Sequence, residues 1–217
     1  FKLYGYQEQS RQVGGDLYDH KVLPDGSVVF VLGDVTGKGM GAALLMSNIL
    51  AALRVLYEKE SFTPANAVKT ISMQLLAYSK SNSFVTLFVG LLDPENATVR
   101  YVNAGHNPPL WIRKDGGLEH IESTGLMAGA FDFADWEEKT IELAQGESIF
   151  IFSDGLTEAD RDGEGDQFGD DRAEELALSY KDKDPRNFIE DIAEEVNKFM
   201  GNAPQSDDLT MLALKRV

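Results

Sequence analysis

Cysteine is absent from the 217 residues, which excludes disulfide bonds and thiolate metal sites. Positive charge is scarce: 20 Lys and Arg stand against 36 Asp and Glu, and the formal net charge of -16 disfavours nucleic acid and anionic membranes as partners. The sequence also lacks an apolar run of about 18 residues, so it predicts no membrane span. We expect a cytoplasmic protein that meets other proteins or metal ions, with any metal held by oxygen or imidazole.

The hydrophobic content is sufficient for a substantial core. It amounts to 43% of the 217 residues, a length that suits one domain spanning 1–217. The chain opens abruptly at "FKLYGYQEQS". We interpret it as the C-terminal part of a longer regulatory protein.

Short strands outnumber helices in the hydrophobic pattern. "HKVLPDGSVVFVLGD" predicts a hairpin that turns at Pro24-Asp25-Gly26, and apolar spacing of three and four predicts helices over Met40 to Tyr57 and Pro64 to Ser79. A run of short strands follows, then helices over Arg172 to Tyr180 and Asn187 to Met200, and a last strand. This order predicts an α+β domain in which helices cover sheets.

Several acidic residues stand where apolar strands end. Asp34 follows "VVFVLG" and Asp154 follows "SIFIFS", positions where losing water is costly unless a cation or a hydrogen-bond donor compensates. Asp16 follows a glycine pair, and Asp207-Asp208 opens the last strand. Because Mg²⁺ and Mn²⁺ prefer oxygen ligands, these acids together predict a site for such an ion. Other Asp-Gly pairs, at Asp25, Asp115 and Asp162, lie in polar surroundings and are typical of turns.

Five segments carry a family resemblance. They are "VGGDLYD", "GDVTGKGMGAAL", "FVTLFVGLLDPENATVRYVNAGHNPPL", "FIFSDGLTEA" and "SDDLTML". Their order and spacing resemble the bacterial SpoIIE-like (RsbU-type) branch of the metal-dependent protein serine/threonine phosphatases, the PPM or type 2C superfamily. The resemblance covers nearly the whole chain. It implies a four-layer α-β-β-α sandwich of two antiparallel sheets flanked by helices.

The resemblance also implies a dinuclear site with two Mn²⁺ or Mg²⁺ ions. Asp16 resembles the first metal ligand, Asp34 the bridging ligand with the Val35 carbonyl beside it, and Asp154 and Asp207 the remaining acids. Asp208, next to the matched ligand, is a lower-ranked alternative. In such sites the ions activate a water that attacks the phosphoserine of a partner protein.

Further expectations follow from the family. Its members often act on serine-phosphorylated anti-sigma-factor antagonists, and they commonly carry an upstream sensor domain or form homodimers. The animal members place a histidine two residues after the bridging aspartate, whereas this chain has Thr36 there. Metal-bound water is therefore the expected proton donor to the leaving group. His106, in "NAGHNPPL", is open to two interpretations: a structural hydrogen-bonding role and a catalytic one.

Two other functions are compatible with parts of the pattern. "GKGMGA" fits the permissive dinucleotide motif after a strand, with Glu58 about twenty residues further on. Two helical patterns follow it in succession, however, and Asp34 would repel a pyrophosphate. A pseudophosphatase that keeps the fold as a binding module is the second alternative. The complete set of four aspartates favours catalysis over it.

Overall fold

The computed structural model describes residues 1–79, 83–161 and 165–217. These residues form two compact units. The terminal unit contains Phe1–Gly14, Pro109–Ile121 and Ala144–Val217, and the central unit contains Gly15–Pro108 and Glu122–Leu143. The predicted single domain over 1–217 stays a prediction.

The central unit is a five-stranded antiparallel sheet with two helices. Its elements are β2 (Asp16–Val22), β3 (Val28–Val35), α1 (Met40–Leu56), α2 (Pro64–Tyr78), β4 (Val85–Asp93), β5 (Thr98–Ala104) and β8 (Lys139–Glu142). The strand order is β2-β3-β4-β5-β8. The predicted hairpin and both predicted helices are thereby confirmed. Thr63 caps α2 by accepting from Asn66 N–H, and Pro64 occupies the first turn.

The two faces of the central sheet differ. Alternate residues, such as Val29, Val31 and Val35 of β3, point into a core that also contains buried side chains of α1 and α2. Strand geometry places the intervening residues, Phe30 and Leu32, on the other face. Asp34 follows in the same alternation. It therefore lies on this second face, next to the buried side chains of Phe30 and Leu32 along the strand.

The terminal unit is built from the two ends of the chain and one internal segment, Pro109–Ile121. Its strands are β1 (Lys2–Glu8), β6 (Leu110–Ile112), β7 (Leu118–His120), β9 (Ser148–Phe152), β10 (Asp160–Arg161), β11 (Asp166–Gln167) and β12 (Leu209–Lys215). The main sheet has the order β1-β12-β9-β6-β7, and β10 and β11 form a separate antiparallel pair. The helices are α3 (Asp154–Thr157), α4 (Gly169–Ser179) and α5 (Pro185–Met200). The side chains of α5 pack with β9 and β12 in one core.

Three elements of the terminal unit differ from the predictions. The short helix α3 occupies a segment for which the sequence predicted no helix, and β10 and β11 pair in a segment for which it predicted no strands. The Asp25 and Asp115 turns are confirmed, since each carboxylate accepts the backbone N–H two residues on. The third pair, Asp162-Gly163, lies outside the described residues. Within the described ranges, no helix is both long and apolar enough to cross a membrane.

Gly90 of β4 provides a test of the packing on the second face. It lies opposite Phe30 in register, and a Cβ added there would sit 2.3 Å from Phe30 Cζ. Because the ring is fully buried, we expect Gly90→Ala to lower the free energy of unfolding by about 2 kcal/mol in urea denaturation. Adding Phe30→Leu should recover part of that loss. Independent, additive costs of the two changes would contradict this account.

Candidate metal centre

Asp16 and Asp34 face each other across the first hairpin of the central unit. They are register partners, at the start of β2 and near the end of β3. Val35 N–H donates to Gly15 O over 3.4 Å, which makes Gly15 and Val35 a hydrogen-bonded pair. The two kinds of pair alternate along antiparallel strands, so Asp16 and Asp34 form the other kind, in which side chains stand closer. Two of the predicted ligands are thereby placed side by side.

The glycine pair before Asp16 allows a close approach of the backbone. A Cβ added to Gly15 would lie 3.0 Å from Val35 O and 3.5 Å from Asp34 Oδ1. A side chain at Gly15 would therefore crowd the Val35 carbonyl oxygen and lie in ordinary contact with the Asp34 carboxylate. Gly15 does not have a positive φ. The requirement for glycine at this position therefore comes from the close approach of the two strands and not from the backbone conformation.

The two carboxylates of the Asp16–Asp34 pair differ in burial. Asp16 is only 2% exposed whereas Asp34 is partly exposed, and Phe30, Phe88 and Tyr101 stack in succession further along the same face of the sheet. Burial raises the pKa of Tyr101, as expected where the charged form loses water. Like charges directly opposite each other destabilise an antiparallel pair. A divalent cation would offset this repulsion, and the carboxylate oxygens are of the type that it prefers.

In the terminal unit, Asp154 and Asp208 are linked through the residues beside them. Asp154 is the first residue of α3, directly after Ser153. Ser153 Oγ donates to Asp208 O over 3.1 Å and accepts from Thr210 N–H over 3.1 Å. Gly155 packs against the same carbonyl, since an added Cβ would lie 2.0 Å from Asp208 O. The start of α3 is thus held against the start of β12, which places Asp154 next to the Asp207-Asp208 pair.

Asp207 and Asp208 have different environments. Asp208 is 3% exposed, and its Oδ1 accepts from both the backbone N–H and the hydroxyl of Ser10. Its Oδ2 packs against Gly14, where an added Cβ would lie 1.8 Å away. Asp207 is partly exposed, and its Oδ1 accepts from Asp208 N–H over 2.9 Å. These contacts give Asp208 a structural role and leave Asp207 as the more accessible acid.

The predicted ligands form two sets, and the structure describes each set separately. Asp16 lies beside Asp34, and Asp154 lies near Asp207 and Asp208, each set within its own unit. In the residues that the structure describes, no group of three or more His, Asp or Glu side chains is arranged to hold a metal ion. The donor chemistry of each set nevertheless fits a hard divalent cation.

Sequence reasoning missed one residue beside Asp34. Thr86 of β4 is the register partner of Asp34 on the side away from Asp16, and its Oγ1 lies 3.0 Å from Nδ1 of His106. The available signal was a single hydroxyl in the apolar run "FVTLFV", in the same alternation as Phe88. Its position relative to Asp34 depends on a strand pairing that the sequence does not reveal.

Comparison with known proteins identifies the family. The family model described as Stage II sporulation protein E (SpoIIE) matches residues 24–217. The chain belongs to the SpoIIE family. Phosphoserine phosphatase RsbU of Bacillus subtilis is 31% identical over 150 residues, 69% of this chain and 44% of that protein. Protein IcfG of Synechocystis sp. is 29% identical over 96% of this chain and 37% of that protein. This SpoIIE-family chain thus spans less than half the length of these curated relatives.

Solved structures show the same fold. The RsbU and RsbW domains of Rv1364c from Mycobacterium tuberculosis share 28% identity with a TM-score of 0.81, covering 99% of this chain and 61% of that one. The SiaA-PP2C domain of Pseudomonas aeruginosa shares 18% identity with a TM-score of 0.87, covering 99% and 86%. The predicted α+β class, with two antiparallel sheets and helices, is confirmed as PP2C-like.

The dinucleotide interpretation of "GKGMGA" lacks its structural context. That motif requires a parallel βαβ unit, whereas β3 and β4 are antiparallel and both α1 and α2 lie between them in the chain. Glu58, the candidate ribose ligand, forms an ion pair with Lys21 instead.

Proposed function

We propose that this SpoIIE-family chain is a metal-dependent protein serine/threonine phosphatase that hydrolyses phosphoserine on a partner protein. The observation that carries the proposal is the opposed Asp16–Asp34 pair at one end of a buried sheet. Two carboxylates in that position repel each other without a cation, and a divalent ion there is the central requirement of this chemistry. Relatives named as phosphoserine phosphatases, RsbU and RsbP of Bacillus subtilis, support the reaction class.

The proposed ligands of two Mn²⁺ or Mg²⁺ ions are the residues that the sequence singled out. They are Asp16, Asp34, the Val35 carbonyl, Asp154 and Asp207, with Asp208 as the lower-ranked alternative. When bound, such ions lower the pKa of a water and neutralise phosphate charge. The role of the chain is to fix the carboxylates: strand pairing holds Asp16 against Asp34, and Ser153 and Gly155 hold the start of α3 against β12.

The proposed partner is a serine-phosphorylated protein of the anti-sigma-factor antagonist type, met in the cytoplasm. The strong net negative charge of -16 supports a protein partner over a nucleic acid. The resemblance to RsbU-type phosphatases supports the substrate class. Control by an upstream sensor domain or by a second copy of the chain belongs to the same proposal.

Phosphate release from a serine-phosphorylated anti-sigma-factor antagonist tests the reaction. We expect turnover with Mn²⁺, none with EDTA, and recovery when Mn²⁺ is restored, because the carboxylates alone supply no nucleophile. Asp154→Asn is the control, since it keeps the size of the side chain and removes its charge. Full turnover in EDTA would refute the metal-dependent mechanism. Mn²⁺ binding without turnover on any phosphoserine substrate would favour a pseudophosphatase.

The neighbouring acids Asp207 and Asp208 should respond differently to substitution. Asp208→Ala removes the acceptor for two hydrogen bonds from Ser10 at a buried position. We expect it to lower the free energy of unfolding by about 2 kcal/mol in the metal-free protein. Asp207→Asn should leave that stability nearly unchanged and weaken Mn²⁺ binding in calorimetry. If Asp207→Asn lowered the stability and Asp208→Ala only weakened Mn²⁺ binding, Asp208 would be the ligand and Asp207 the structural residue.

A further inference from the structure

His106 is held in a defined turn at the end of β5. Its backbone N–H donates to Asn103 Oδ1 over 2.8 Å, and Gly105 between them has a φ of 68°, in the left-handed region that favours glycine. Asn103 is fully buried, and Ser123 and Thr124 donate to its carbonyl oxygen. The turn therefore aims the His106 side chain in a fixed direction.

The side chain of His106 contacts Thr86. Nδ1 of His106 lies 3.0 Å from Thr86 Oγ1, and His106 is 4% exposed. Thr86 is the register partner of Asp34, so the two side chains project from the same face of adjacent strands. Asp16, Asp34 and Thr86 therefore lie side by side on three neighbouring strands. His106 contacts Thr86 at the end of this row.

A hydroxyl can transmit an orientation because it has one proton and two acceptor positions. If Nδ1–H of His106 donates to Thr86 Oγ1, the Thr86 proton is directed away from the imidazole. The acceptor beside it in register is the Asp34 carboxylate, and a hydroxyl bonded to a carboxylate forms a strong, charge-assisted hydrogen bond.

We propose that the Thr86–His106 pair positions the Asp34 carboxylate through a hydrogen-bond chain from His106 Nδ1–H to Thr86 Oγ1 and from Thr86 Oγ1–H to Asp34. His106 is thus a positioning residue that acts through Thr86. The inference rests on the proposed function, because the value of a fixed Asp34 lies in metal binding. Hydrogen-bond partners of ligating carboxylates orient the ligand, and their loss weakens metal binding by about 10-fold to 100-fold.

The first test needs no metal. In ¹⁵N NMR of the metal-free chain, which has three histidines, the signal of His106 is assigned by its loss in His106→Asn. We expect the neutral imidazole to carry its proton on Nδ1 in the wild type and to shift toward Nε2 in Thr86→Val, which keeps the side-chain shape but removes the acceptor. An Nε2-protonated wild type would overturn the inference.

The second test is calorimetric titration with MnCl₂. We expect Thr86→Val and His106→Gln each to weaken Mn²⁺ binding about 10-fold, and the double variant to be no worse than Thr86→Val. Thr86→Ser keeps the hydroxyl, and His106→Asn places an amide N–H near the position of Nδ1, so both should bind Mn²⁺ as the wild type does. Melting temperatures of the metal-free variants report any purely structural effect separately.

The outcomes separate the inference from the proposed function. If the wild type binds Mn²⁺ and Thr86→Val binds it equally well, the positioning role is wrong while the phosphatase proposal stands. If Thr86→Val and His106→Gln change only the melting temperature, the pair is structural and the inference again fails. If the wild type itself binds no Mn²⁺, the proposed function fails and the positioning role fails with it, whatever the tautomer.

Discussion

Asp34→Asn is expected to lower phosphate release about 1,000-fold or more at saturating Mn²⁺. The substitution removes the charge of the proposed bridging ligand, and a divalent ion contributes several kcal/mol to stabilising the charge that develops in such a reaction. The same change should raise the stability of the metal-free protein by about 0.5 kcal/mol, because it relieves the repulsion between Asp34 and its register partner Asp16. Lost activity together with gained stability is characteristic of a ligand and not of a folding defect.

Asp25→Asn in the same hairpin is the matched control. Asp25 lies in the turn at the opposite end of β2 and β3, and asparagine can still accept the N–H of Ser27. This variant should keep both wild-type activity and wild-type stability. The two assays are phosphate release from a phosphoserine protein and urea unfolding in EDTA. A metal-free Asp34→Asn that is less stable than the wild type would contradict the electrostatic account.

The regular elements could be predicted because their signals are local. The helices α1 and α2 each extend over at least four turns, long enough for the apolar spacing to show, and Thr63-Pro64 marks the start of α2. The short helix α3 has four residues, fewer than are needed to display a helical period, so its sequence "DGLT" carries no helical signal. The two-residue strands β10 and β11 escape prediction for the same reason.

The candidate site could be predicted only where neighbouring residues define it. Asp16 and Asp34 belong to one hairpin, and the turn at Pro24-Asp25-Gly26 sets the register that makes them partners. Thr86 reaches Asp34 through a pairing of β3 with β4 that spans two intervening helices. No local pattern encodes such a pairing, which is why the position of Thr86 beside Asp34 emerged only from the structure.

The assignment of residues to two units could not be predicted from the sequence either. The terminal unit is assembled from three separate segments, and β1 pairs with β12, the last strand of the chain. Composition does not change at the boundaries near Gly14 and Pro109, because both units use the same alternation of apolar and polar residues. Long-range strand pairing decides the division, and single-sequence patterns carry little information about it.

Gly155→Ala is expected to lower phosphate release about 100-fold and to weaken Mn²⁺ binding. The added Cβ would lie 2.0 Å from Asp208 O and 2.7 Å from Asp208 C, both backbone atoms that cannot rotate away. The start of α3 must then move from the start of β12, which displaces Asp154 relative to Asp207. A shift of about 1 Å in a catalytic group is sufficient for a 100-fold loss. The melting temperature should fall as well, because Ser153 loses its geometry with Asp208 and Thr210.

Thr157→Ala in the same short helix is the control. It introduces an alanine into α3 without pushing the helix away from β12. It adds no volume, and it removes one hydroxyl whose bond to Asp154 O is 3.3 Å long. We expect this control to keep wild-type Mn²⁺ affinity and turnover within about 2-fold, since an exposed or half-exposed hydrogen bond of this kind contributes little. Calorimetric titration with MnCl₂ and phosphate release would be measured on both variants. Wild-type Mn²⁺ affinity in Gly155→Ala would show that the junction of α3 and β12 does not set the position of the ligands, because a backbone clash of this size cannot be absorbed without moving one of them.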